Sequence, residues 1–418
     1  MTKHAWPAIP YEPWEGTCDA LHRWTQIVGK YRLAATPWVN HSWHATLYVS
    51  PRGLTTGPIH TEASGVPQSV ELIFDFHDHE LRLEGSSGVR DALPLEAMSV
   101  AEFWQRFHAL VERQGLSLKL HGTPNEIEGA LPFAEDTEPR PYDRDAVERF
   151  HHALIHIHRV MLRFRTAYVG KVSPVHLFWG SFDVAVTRFS GRGAPDHPGG
   201  IPGLPDDVTR EAYSHEVSSA GFWPGKGLGE PAFYSYAYPT PEGFSGAAVE
   251  PAESTYHEGL GEFVLPYEAV RTSDSPDETL MRFLETTWQA ASRLGDWPHG
   301  VLECPVGKPL VPRPALDPST DTAEPTIQYE ESESRGRYAI AAGDGDEAAE
   351  MTYSRAGDDL IIVDHTYVPD VLRGRGVGAR LAERLVADAK AKGRRIIPLC
   401  PFFRHQVERH PDWAELIA

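Results

Sequence analysis

Residues able to do chemistry gather near the end of the chain. His365 and Cys400 stand on either side of a glycine-rich run, Arg373-Gly374-Arg375-Gly376-Val377-Gly378. Glycine lets the backbone come close to a ligand, and the first free N–H groups of a helix point at anionic oxygens. The run therefore reads as an anion cradle opening a helix, although a plain tight turn has the same pattern. A histidine moves protons near neutral pH, and a cysteine just ahead of a helix start has its thiolate favoured. Each also has a quieter reading: Cys400 as a small core residue, His365 as a satisfied strand histidine.

Both residues need elements to hold them. Leu360–Val368 is an apolar, β-branched run of strand length, and Pro369 ends it because proline has no amide to donate. The following helix carries Val377, Leu381, Leu385 and Ala389 on one face, with Gly393 as its stop. Arg395–Cys400 is the next strand. Two strands joined by a helix are expected to lie parallel, with a right-handed crossover. Their carboxyl ends then meet at one edge, where open α/β sheets bind ligands, and His365 and Cys400 both lie toward those ends. Arg373, Arg375, Arg380, Arg384, Lys390, Lys392, Arg394 and Arg395 make this segment locally basic. They read as a solvated helix face or as partners for phosphate.

This stretch resembles the GNAT superfamily of N-acetyltransferases, with Arg373, Gly376 and Gly378 at the fixed positions of its pyrophosphate loop. The likeness sharpens to the small, cysteine-containing YjdJ-type family. It runs through His365-Thr366-Tyr367-Val368-Pro369, Leu372–Gly378, Pro398-Leu399-Cys400-Pro401 and His410-Pro411-Asp412-Trp413. It implies acetyl-CoA as cosubstrate, held by Val368 and Arg373, Gly374, Arg375, Gly376, Val377 and Gly378, an amine acceptor, and His365 and Cys400 as catalytic residues. Thioester aminolysis needs an unprotonated amine, and a lysine amine titrates near ~10.4, so a local base is useful. His365 suits that part, and Cys400 suits a proton donor or transient acetyl carrier. Tyr367 alternates to the side of His365, where packing is its simpler role. Larger GNAT enzymes insert a helical pair between their first two strands. Here only Glu331–Gly336 separates Ile327–Glu330 from Arg337–Ala341, too short for helices. An open acceptor side is expected, suited to a protein or peptide amine, or else closed by the N-terminal domain.

The 418-residue chain has 39 Lys and Arg against 59 Asp and Glu, a net charge of −20. Nucleic acid and anionic membranes are thereby disfavoured as partners. Cys18, Cys304 and Cys400 form neither a disulfide framework nor a zinc spacing. Trp6 and Pro7 stand where a secretory leader would be apolar, and no run has membrane-spanning length, so a cytoplasmic setting is expected. Val306–Glu324 is rich in Pro, Asp and Thr and aperiodic, which places a linker over 306–325 between domains spanning 1–305 and 326–418.

The N-terminal domain reads as α+β of uncertain topology; the C-terminal one as α/β, GNAT-like, a mixed sheet flanked by helices. Helices are expected over Cys18–Tyr31, Ser99–Gln114, Asp145–Phe164 and Ser275–Leu294. Strands are expected at Trp43–Ser50, Val70–Phe76, Glu80–Leu83, Leu116–Leu120, Val175–Trp179, Asp183–Phe189, Glu211–Ser219, Ala232–Tyr238 and Glu262–Leu265, with a lid or binding loop over Ser190–Asp207. The blocks Asn40–His44, Gly170–His176, Phe178–Asp183, Thr187–Arg192, Tyr213–Gly225, Phe233–Pro239 and Glu262–Arg271 resemble an uncharacterised bacterial domain family that brings no activity with it. His41, His44, His77, His79, His176, His197, His215 and Glu216 are metal-ligating types without diagnostic spacing, so no metal is assigned. His151, His152, His156 and His158 read as a half-exposed helix face. Phe178, Trp179, Phe182, Phe222, Trp223, Phe233, Tyr234, Tyr236 and Tyr238, with Asp183, Arg188, Arg192, His215 and Glu216, read as core or as an aromatic ligand pocket. The leading reading is an acetyl-CoA-dependent N-acetyltransferase. The alternatives are a non-catalytic CoA sensor regulating the N-terminal domain, and a metal-dependent enzyme in that domain.

Overall fold

A computed structural model describes residues 6–63, 66–312, 327–341, 348–369, 372 and 377–418. Contacts divide the chain into two compact units, Met1–Ala315 and Leu316–Ala418. Residues 313–325 of the expected linker lie outside the described residues.

The first unit is α+β. Helix Glu15–Ala35 is buried on most of its circumference, which fits its position inside a core built on Leu21, Trp24, Phe103, Phe107 and Phe150. Helix Val100–Arg113 starts where the Ser99 hydroxyl accepts from the Glu102 N–H at 3.1 Å. Helix Arg144–Thr166 starts where Asp143 accepts from Ala146 N–H at 3.0 Å. Helix Pro276–Leu294 has proline in its first turn, and the Ser275 side chain makes no capping bond. Among the described residues, the unit also holds two six-stranded sheets and a two-stranded one that pairs Met98–Ser99 with Pro139–Arg140. The second six-stranded sheet runs in the order Thr255–His257, Glu262–Pro266, Ala232–Tyr238, His215–Trp223, Asp183–Gly193, His176–Phe178, all antiparallel.

Three expected strands differ. Trp43–Ser50 is extended only from Leu47, which bridges Leu177, through Tyr48–Ser50, because His41 and Ser42 take left-handed conformations (φ 60° and 58°) and the chain then turns through Ala45. Leu116–Leu120 has the alternation of a strand but joins no ladder; the Leu116 carbonyl accepts instead from Tyr31 Oη at 2.9 Å. Glu211–Ser219 divides into the end of helix Asp206–Ala212 and the start of strand His215–Trp223. The expected loop over Ser190–Asp207 is strand as far as Gly193.

The second unit holds, among the described residues, a five-stranded sheet: β1 Gln328–Glu331, β2 Arg335–Ala341, β3 Ala348–Arg355, β4 Leu360–Tyr367 and β5 Arg395–Pro398, in that spatial order. The first three pairings are antiparallel, and β4–β5 is parallel. Helices α1 Val377–Ala391 and α2 Pro401–Arg409 follow β4 and β5. The apolar stripe of α1 packs with Tyr338, Ile340, Met351, Tyr353, Ile361 and Val363 in one core. At roughly 1.5–3 kcal/mol per fully buried aliphatic side chain, this contact holds the crossover in place. Strand β3 has no counterpart in the sequence reading. Its inward residues are Ala349, Met351 and Tyr353, and its outward ones include Ala348, Glu350 and Ser354, types with little strand preference.

Candidate active site

Register sets the site. Glu330, Arg337, Thr352 and His365 are consecutive cross-strand partners over β1 to β4, so their side chains share one face. The neighbouring row of Tyr329, Tyr338, Met351 and Thr366 takes the helix-covered face. The polar face carries an open groove of about 550 Å³, lined by Glu330, Glu331, Arg335, Arg337, Asp364 and His365 among others. Only Ser332, Glu333 and Ser334 connect β1 to β2, so no helix stands between these two strands.

Most of the groove's charges are committed. Arg337 donates to Glu350 at 2.7 Å, and Asp364 accepts from Thr352 Oγ1 at 2.6 Å and Ser354 Oγ at 2.8 Å. Asp364 is an extra residue in the ladder, since Thr352 pairs with His365 and Tyr353 with Val363. This bulge turns Asp364 onto the groove face beside His365. The His365 ring is exposed and, among the described residues, has no hydrogen-bond partner.

Cys400 lies on the other face. It is 4% exposed, caps the start of α2, and shares a 3.2 Å hydrogen bond with Thr366 Oγ1. Phe403 and Trp413 pack in the same core. His365 and Thr366 are adjacent in β4, so His365 and Cys400 end at the same strand terminus but on opposite faces. There the sheet splits. Parallel pairing stops at Val363–Pro398, and both Leu399 and Cys400 N–H groups converge on the Val363 carbonyl at 3.0 and 2.9 Å. Asp364–Tyr367 continue without a β5 partner, leaving one edge of backbone groups facing the gap.

Of the expected cradle, Arg373, Gly374, Arg375 and Gly376 lie outside the described residues. Val377 and Gly378 open α1, and a Cβ on Gly378 would meet the Phe402 ring at 2.7 Å. Val368 follows β4 as a half-buried residue. The basic segment is less available for phosphate than its count suggests. Arg384 pairs with Asp388 at 3.0 Å, Arg395 donates to the Ile417 carbonyl at 2.9 Å, and Lys392 and Arg394 both bind Glu331. Arg380 and Lys390 are exposed.

The first unit separates several residues that the sequence brackets together. Asp183 is buried and accepts from Ser181 Oγ and Tyr234 Oη; burial pushes its carboxyl above the usual range. Arg188 sits elsewhere, its guanidinium 3.5 Å from the Phe164 ring centroid and 4.8 Å from that of Trp288. Burial and then the Asp183 charge push Glu126 up to about 7 and Glu262 up to about 8. His151 is fully buried, not half-exposed, and its Nε2 donates to the Ser50 carbonyl at 2.9 Å. Among the described residues, no three His, Cys, Asp or Glu side chains converge as a metal ion needs.

The family model of DUF5996, a family of unknown function, matches residues 6–304. The chain belongs to DUF5996. Beyond that region, the model of the GCN5-related N-acetyltransferases matches residues 337–416, from within β2 to beyond α2, so this DUF5996 protein carries a GCN5-related N-acetyltransferase domain. No curated protein matches the chain. Among the described residues no helix is long and apolar enough to cross a membrane.

Proposed function

We propose that the C-terminal domain transfers an acetyl group from acetyl-CoA directly to an amine, with His365 as the base. The observation that supports this most is the position of the His365 ring, free of partners in an open groove, at the point where β4 parts from β5. The residues fit the cosubstrate. The free β4 edge offers amide-pairing groups to an extended arm, and the start of α1 offers N–H groups to its phosphates. Arg373, Gly374, Arg375 and Gly376 complete that cradle on the sequence pattern, with Val368, Val377 and Gly378.

In this reading the acceptor amine approaches across the groove and loses its proton to His365. Its nitrogen bonds to the acetyl carbonyl carbon as the carbon–sulfur bond breaks. The departing thiolate takes its proton from Cys400, which the Thr366 hydroxyl positions from the helix side. Burial of Cys400 favours this donor part over that of an acetyl carrier. The open groove suits an amine presented on a protein or peptide.

The test is acetyl-CoA turnover with a panel of lysine peptides and small amines. His365→Ala is expected to cut kcat by about 10²–10⁴-fold with little change in acetyl-CoA binding. Gly376→Glu is expected to abolish binding. Incubation with acetyl-CoA and no acceptor is expected to leave Cys400 unmodified by mass. A hydroxylamine-labile acetyl group on Cys400 would replace direct transfer with a carrier mechanism. Binding without turnover of any acceptor would refute transfer and favour sensing.

A further inference from the structure

Lys171 is a lysine in an unusual setting. Its Nζ hydrogen-bonds His41 Nε2 and lies 4.7 Å from the Phe189 ring centroid and 5.5 Å from that of Trp43. Among the described residues no carboxylate makes an ion pair with it. The histidine's tautomer follows from its other nitrogen. His41 Nδ1 lies 2.8 Å from the Ala212 carbonyl, which can only accept, so Nδ1 carries the hydrogen and Nε2 presents its lone pair to the amine. Glu211 holds the His41 backbone N–H at 2.9 and 3.0 Å. Residues 41 and 42 are both in the left-handed region, where non-glycine backbone persists only when its surroundings hold it. Burial lowers the pKa of both His41 and Lys171, against the opposing charge of Glu211.

An amine with aromatic walls and a built-in base is arranged to act as a nucleophile. We propose that Lys171 is an acyl-acceptor site, its Nζ taking an acetyl group from an acetyl thioester with His41 as base. The electrophile is the one this chain's other domain handles, so the choice of donor rests on the acetyltransferase reading. In the step, Nζ gives a proton to His41 Nε2 and bonds to the carbonyl carbon. The carbon–sulfur bond breaks, and the thiolate leaves and is protonated. The product is a neutral amide. It cannot keep the ammonium's attraction to Trp43 and Phe189, so acetylation would also reset the packing around His41.

The test follows acetyl occupancy of each lysine of the full-length protein by mass spectrometry. One arm uses S-acetyl-N-acetylcysteamine, a small thioester without a nucleotide; the other uses acetyl-CoA. With the small thioester, Lys171 is expected to react at least about tenfold faster than the exposed Lys119 and Lys390. His41→Asn, whose side chain tolerates left-handed backbone, is expected to remove that advantage. Lys171 reacting no faster than Lys119 in the wild-type protein overturns the proposal without recourse to any variant. Fast labelling that His41→Asn leaves unchanged, in protein with a wild-type melting curve, overturns the part given to His41. In the acetyl-CoA arm, labelling that Gly376→Glu abolishes supports the C-terminal domain as donor. A reactive Lys171 that acetyl-CoA never labels overturns that donor and leaves the acceptor site standing.

Discussion

Glu331 ties the groove to the rest of the acetyltransferase domain, and its removal has a calculable cost. The carboxylate accepts from Tyr353 Oη at 2.8 Å and Lys392 Nζ at 3.2 Å, and it pairs with Arg394. Burial alone would raise its pKa; the hydrogen bonds from Arg394, Tyr353, Tyr329 and Lys392 outweigh that and bring it down to about 2 from the ordinary 4.5. A shift of that size carries about 3 kcal/mol of pH-linked stability. The side chain is 20% exposed, and solvent screening brings a realistic value to about 1.5 kcal/mol. Because the folded pKa is the lower one, this stability is present above 4.5 and is lost as the pH falls through 4.5 toward 2. Glu331→Gln should therefore speed hydrogen exchange of the slowest β2 and β3 amides about tenfold at pH 7, since each tenfold is about 1.4 kcal/mol. At pH 3 the difference between the two proteins should shrink. Exchange unchanged at pH 7, or a penalty that grows on acidification, would refute the reasoning.

Two buried histidines set the acid limit of the first unit. Burial, ahead of neighbouring cations, lowers His22 to about 4 and His176 to about 3 from the ordinary 6.5. Each keeps the fold stable above 6.5 and loses about 1.4 kcal/mol per pH unit as the pH falls toward the folded value. Denaturant midpoints by tryptophan fluorescence should drop steeply between pH 6.5 and 4.5; a flat profile over that interval would contradict it. Gly29 sets two effects against each other. Alanine is the better helix former by about 1 kcal/mol, but its Cβ would fall 2.2 Å from Trp179 Cδ1, in a ring held by a 2.7 Å bond from Nε1 to the Ala45 carbonyl. Overpacking of about 1–3 kcal/mol wins, so Gly29→Ala should lower the Tm of the first unit, and a raised Tm would show that Trp179 gives way freely.

What the sequence makes legible is what depends on neighbours along the chain. The helix of Leu381 and Leu385, the strand before it and the parallel strand after it follow from periodicity and a crossover rule, and the structure has them in those places. Strand β3 escapes because Ala349 and Met351 are neutral in preference; its place between β2 and β4 comes from pairing partners, which no local window contains. Leu116–Leu120 fails for the converse reason. Alternation reports which side chains face a core, and a segment can bury Leu116 without any strand beside it.

The same division runs through the sites. His365 and Cys400 are visible as types at the ends of two strands. That one faces the groove and the other the core depends on the parity of β4 and on the bulge at Asp364, which one inserted residue creates without marking the sequence. The contact between Lys171 and His41 spans 130 positions. Neither residue stands in a spacing that chemistry requires, and the strained backbone at 41 and 42 has no glycine to announce it. Sites of this kind become visible only when tertiary structure has chosen a histidine's tautomer and denied a lysine its carboxylate. A search of DUF5996 for function by motif would therefore pass over the residues whose surroundings are least like those of ordinary surface groups.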